Sequence, residues 1–136
     1  MNEFNQQIVA EFRENAGQVG GMFAGAPMIL VHHVGAKSGV ERVSPLVYLA
    51  DGDRLFVFAS KGGADDNPAW YHNLVANPKT TVEVGTETFD VVAKVITGAA
   101  RDEIYAKQVA AAPQFGEYER QTTRVIPVVE LERVSA

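Results

Sequence analysis

The residues best suited to grip an anion fall in one stretch, GAKSGVERVSPLVYLADGDRLFVFASKGG, from Gly35 to Gly63. Ala36, Lys37 and Ser38 occupy a glycine-bracketed turn, and Arg42 follows at the mouth of the next apolar run. Ala59, Ser60 and Lys61 stand just before Gly62 and Gly63. Cationic side chains beside flexible, amide-rich backbone suit a phosphate or a carboxylate. The nucleotide-triphosphate loop is excluded, because it needs Gly-Lys-Ser/Thr where a strand enters a helix, and here AKSG leads into a strand. Taken alone, the turn also meets the needs of any tight hairpin. Lys37, Arg42 and Lys61 together direct it toward a negatively charged small molecule.

Other chemistries find little support. The chain has no cysteine, which removes disulfides, thiolate metal sites and cysteine nucleophiles. His32 and His33 are adjacent on a strand, point to opposite faces and cannot share an ion, so no metal is expected. Ser38 lacks the GxSxG elbow, and Ser60 has no evident histidine or acid partner. In NPAWYHNLVANP the consecutive Ala69, Trp70, Tyr71, His72 and Asn73 spread around a helix. Trp70 and Leu74 share one face and suit the core, which leaves Tyr71, His72 and Asn73 facing outward or toward a site. Phe115 and Tyr118, three apart, suit either core packing under a loop or an aromatic wall with the Tyr118 hydroxyl as proton donor.

The elements that must position these residues are legible. With 136 residues and 46% hydrophobic content, one domain over residues 1–136 can build its own core. A net charge of -5 argues against nucleic acid as a partner. The N-terminus is polar without a signal-peptide shape, and no apolar run reaches membrane-spanning length, so a cytoplasmic protein is expected. Phe4, Ile8, Val9 and Phe12 predict an amphipathic helix within residues 1–17, which could cap the domain, support a homodimer or rest on a membrane surface. The acidic polar face of that helix weakens the membrane option. Residues 19–27 read as a glycine-rich connector. Strands are predicted over 28–34, 43–50 and 55–59, with Asp51-Gly52-Asp53 as a hairpin signal. A helix starts at Pro68 with Asn67 as its cap and stops before Pro78. A hairpin around Gly85 joins strands over 80–84 and 86–96; a helix over 99–112 capped by Thr97, the aromatic segment PQFGEY and a last strand over 125–134 complete the chain. Short connections make the strands mostly antiparallel. About six of them in a short α+β chain favour a small barrel with flanking helices.

The run GAKSG, R-V-x-P-L-V-Y, DGDR, ASKGG and NPAWYHNLVANP resembles the deazaflavin (F420)-dependent nitroreductase family, most strongly over residues 28–84. These are small actinobacterial oxidoreductases with a split β-barrel that use the 8-hydroxy-5-deazaflavin coenzyme F420. The resemblance implies that Ala36, Lys37, Ser38 and Arg42 hold the phosphate and oligoglutamate tail of the cofactor. It implies that Val43, Ser44, Pro45, Leu46 and Val47 line the ring, and that Phe58, Ala59, Ser60, Lys61 and Gly62 contact the ring and its side chain. The helix from Ala69 through Trp70, Tyr71, His72 and Asn73 closes over it. Phe115 and Tyr118 fall to the acceptor; the catalytic proton could come from Tyr118, the Ser60 hydroxyl or solvent. Phe115 stands near where the family carries tyrosine, which puts activity on nitroimidazoles in doubt.

A deazaflavin passes a hydride, so the protein needs no metal, thiol or triad; it must bind the ring, expose one face and exclude water. The expected reaction is hydride transfer from reduced F420 to a quinone, an enone or a nitro compound. An FMN-binding split-barrel oxidoreductase and a non-catalytic deazaflavin carrier are the alternatives. Three rim cations supply about 5 kcal/mol at best, whereas micromolar affinity needs about 8 kcal/mol, so burial of the ring must provide the rest.

Overall fold

A computed structural model describes residues 3–20 and 26–134. Much of the glycine-rich connector and the side chain of Phe4 lie outside the described residues. In chain order the elements are α1 (Glu3–Glu14), β1 (Met28–Val34), β2 (Glu41–Asp51), β3 (Arg54–Phe58), a 3-10 turn (Lys61–Gly63), α2 (Ala69–Ala76), β4 (Lys79–Val84), β5 (Glu87–Ile96), α3 (Gly98–Ala111), α4 (Gln114–Arg120) and β6 (Val128–Arg133). The strands close into one barrel in the order β1-β2-β3-β6-β5-β4, every pair antiparallel. This is the expected small split barrel with flanking helices.

Alternation along each strand divides the apolar residues into an inner and two outer sets. Ile29, Val31, Val57, Val82, Val91, Val129 and Leu131 fill the barrel, and Trp70 and Leu74 of α2 join them. Outside, Ile8, Val9 and Phe12 of α1 cover Met28 and Leu30. On another outer face, Ile104 and Tyr105 of α3 and Phe115 of α4 cover Phe56, Phe58 and Val128. The C-terminal end of α1 is held by Arg13, whose Nη2 meets Glu83 of β4 at 2.7 Å. There Gly17 has a φ of 93°, and a Cβ on it would lie 2.8 Å from the Cα of Gly85, so only glycine permits this approach.

Three sequence expectations shift. Pro68, not Asn67, is the N-cap of α2, and the Asn67 side-chain Oδ1 accepts a hydrogen bond from Arg124 Nη1 at 2.7 Å instead. PQFGEY is helical, because Tyr105 donates to the Phe115 carbonyl at 2.7 Å and anchors α4 on α3. The last strand begins at Val128, since Pro127 offers only its carbonyl, to Ala59 N–H, and Val125 is exposed.

Candidate functional site

The first half of β2 forms an open wall. Every residue from Val43 to Leu49 is half-buried, on both faces, while inward residues of neighbouring strands such as Val31 and Val57 are fully covered. The register supplies the reason: β2 pairs with β1 from Glu41 to Val47 but with β3 only from Tyr48 to Asp51. Tyr48 N–H donates to Pro27 O on the β1 side at 3.1 Å, so alternation turns the main chain of Val43, Pro45 and Val47 toward the open side. Pro45 has no N–H to leave unmet there. The five residues expected to line a ring therefore divide. Leu46 packs on the inner core, and Ser44 shares its row, whereas Val43 and Val47 pack outward beside α1. They can meet one ligand only along the open edge.

The cations at the end of this wall stand apart from all others. Eight of the twelve lysines and arginines pair with carboxylates. Arg124 is spent on carbonyls and Asn67. Among the described residues this leaves Lys37, Arg42 and Lys79, and all three lie at the same barrel end. Lys37 is in the β1–β2 turn and Arg42 faces His33 across the ladder. The antiparallel register that sets Val31 opposite Val82 carries Lys79 to the level of Val34. Sequence reasoning missed Lys79, which stands outside the recognised motifs. Lys61 differs from expectation: its Nζ is committed to Asp66 at 3.0 Å, which also holds that carboxyl below its ordinary range. Ser38 accepts from Val40 N–H at 3.2 Å and closes its own turn, in which Gly39 adopts a φ of 71°. Its hydroxyl serves the hairpin first.

The Ala59–Gly62 segment is shaped by a residue far along the chain. The Arg124 guanidinium donates to the carbonyls of Ala59 at 3.1 Å, Ser60 at 3.0 Å and Ala64 at 2.8 Å. Lys61 sits at a φ of 47°, unusual for a residue with a Cβ, and this clamp is what holds it there. Phe58 and Ala59 are buried on opposite faces, so they offer a ligand main chain rather than side chains. Ser60 is buried at the wall's edge.

Helix α2 divides as well. Trp70 is buried within the barrel core, so its ring is not free to cover a ligand; Ala69 and His72 are exposed, and Tyr71 packs half-buried beside Trp70's cluster. Asn73, expected to face outward or toward a site, is buried. It accepts from Ala36 N–H and bonds His33 Nδ1, both at 2.9 Å, while His33 Nε2 meets Ser44 Oγ at 2.8 Å. Burial, then the charges of Arg42 and His32, lowers the His33 pKa to about 4. His32 points the other way, to Glu83 at 2.8 Å and Glu41 at 3.2 Å, as the alternation requires.

Of the aromatic pair, Phe115 is core: it is buried against Phe58, ring centroids 5.7 Å apart. Tyr118 stacks edge-on against Phe115 at 5.2 Å, remains half-buried, and its hydroxyl has no partner among the described residues. Val47 of the open wall packs against the same outer cluster. The Tyr105 hydroxyl is spent on α4, and burial pushes its pKa up to about 12.

The fold is a split β-barrel with one open wall, and its similarity to known proteins gives its class. The profile of the F420H2-dependent quinone reductases matches residues 4–133, and the chain belongs to that family. A Mycobacterium tuberculosis protein named F420H2-dependent quinone reductase is 39% identical over 128 residues, covering 91% of this chain and 86% of its own. The solved structure of an F420H2-dependent reductase (FDR-A) superposes with a TM-score of 0.72 at 36% identity, covering 78% of this chain and 94% of its own. Another, described as a domain-swapped dimer, gives 0.74 at 32% identity and covers 93% of each chain. The protein is thus an F420-dependent reductase, and coenzyme F420 is its cofactor or cosubstrate. The family's description names a quinone, one of the three acceptors expected from the sequence, and not the nitroreductase wording of the resemblance.

Proposed function

We propose that this protein transfers a hydride from reduced F420 to a quinone. The observation that carries the reading is the conjunction of an open β2 wall with the three unpaired cations, all at one barrel end. Val43, Pro45 and Val47 would hold the ring along the open edge, and Lys37, Arg42 and Lys79 the acidic tail. When bound, the deazaflavin supplies the hydride. The chain's own part is to orient the ring, keep water from it and deliver a proton. Tyr118, half-buried against the outer cluster that Val47 also touches and with no hydroxyl partner among the described residues, would donate that proton; Ser60 is the second candidate.

The test is oxidation of reduced F420 under nitrogen with a quinone, an enone and a nitroarene supplied separately. The quinone should be turned over fastest. Faster turnover of the enone or nitroarene would move the acceptor class, and binding without oxidation by any of the three would indicate a carrier. Self-association also belongs to the proposal, supported by the similarity to a domain-swapped dimer; sedimentation at micromolar concentration would read it.

A further inference from the structure

His33 joins three segments already assigned to the cofactor: the turn at Ala36, the helix at Asn73 and the wall at Ser44. Serine, histidine and asparagine in hydrogen-bonded sequence look like a nucleophile with its base and orienting group. The direction of the bonds contradicts that. Ala36 N–H can only donate, so the Asn73 oxygen faces it. The Asn73 amide nitrogen must then face His33 and donate to Nδ1. In neutral His33 the ring proton consequently sits on Nε2 and is given to Ser44 Oγ. A serine that accepts from its histidine cannot be deprotonated by it. Its own proton is left to point elsewhere, and Ser44 has no other partner among the described residues.

We infer that Asn73 and His33 are positioning residues that fix Ser44 as a hydrogen-bond donor to a carbonyl oxygen lodged at the open edge of β2. Ser44 is half-buried on the inner row of that wall, where β3 is no longer paired. A carbonyl at this point could belong to the pyrimidinedione edge of the deazaflavin or to the quinone. The inference rests on the proposed function for the identity of the ligand, but the direction of the chain does not.

Two measurements test it. In a nitrogen–proton correlation spectrum of the imidazole rings, His33 should carry its proton on Nε2 with Nδ1 bare, and Asn73→Asp should protonate Nδ1. A wild-type His33 protonated on Nδ1 would overturn the inference. Ser44→Ala should then weaken one ligand by about tenfold, the loss of one neutral hydrogen bond. If the oxygen is the cofactor's, the Kd for F420 rises alike for tailed and tail-less forms; if it is the quinone's, only the quinone KM rises. Ser44→Thr should restore the wild-type value. Unchanged Kd and KM in Ser44→Ala would refute the donor role. A wild-type chain that bound no F420 would refute the proposed function, while the spectrum would still decide the direction of the chain.

Discussion

Acid should expose the buried imidazole. His33 is held neutral in the fold with a pKa of about 4, and an unfolded histidine titrates near its ordinary 6.5. A depressed histidine pKa means the unfolded chain binds more protons between those values. Its contribution is therefore intact above the upper value and is lost as pH falls toward the lower one. Between about pH 7 and pH 4.5 the ceiling on this loss is about 2.5 kcal/mol; about 1.5 kcal/mol is expected because the adjoining wall is half-open to water. The assay is a series of urea midpoints across that range for the wild type and for His33→Gln, which cannot titrate. Acidic pairs such as Arg13–Glu83 also weaken, but they do so in both proteins. The wild type should lose more stability than the variant by the stated margin. Parallel curves would show that His33 is not held neutral, and would remove the basis for its tautomer.

Other consequences are separable. Phe12→Ala should cost about 3–5 kcal/mol, because this fully buried ring ties α1 to the outer face of β1, and chemical denaturation reads it. Arg124→Ala should free the Ala59–Ala64 carbonyls, lowering stability by about 2 kcal/mol and weakening F420 binding, which calorimetry can measure together. Tyr118→Phe should lower turnover with quinone far more than affinity for F420, and an equal turnover number would remove Tyr118 as proton donor.

Much of the barrel was legible because its strands carry strong local signals. Val, Ile and Leu run through Met28–Val34, and Asp51-Gly52-Asp53 bends the chain where the β2–β3 hairpin turns. The motif turn and the wall were legible too, but as a list rather than an arrangement. Alternation splits Val43–Val47 between two faces, and a one-dimensional motif conceals this until the pairing partners are known. Arg124 was out of reach, since its partners lie 57 to 65 residues away in sequence and only barrel closure brings them to it. His33 was read as half of an unworkable metal pair. Strand parity could have shown that it faces Ser44's row, but its bond to Asn73 depends on how α2 plugs the barrel. Trp70 was legible as core from its spacing with Leu74, whereas three-residue spacing left Phe115 open between core and pocket wall until its packing on Phe58 placed it in the core.

In the proposed complex the rim cations hold the cofactor's acidic tail while the wall holds its ring. Exposed ion pairs contribute roughly 0.2–1 kcal/mol each and well-made charged hydrogen bonds about 1.5–3 kcal/mol, so three should contribute about 3 kcal/mol, or ~100-fold in Kd. The direct measurement is a fluorescence titration of tailed and tail-less deazaflavin against wild type and the triple variant Lys37→Ala, Arg42→Ala, Lys79→Ala. The tailed cofactor should lose about two decades of affinity in the variant at low salt and less as salt rises, with the tail-less form unchanged. Equal affinity of wild type and variant for the tailed form, or an equal loss for both forms, would contradict it.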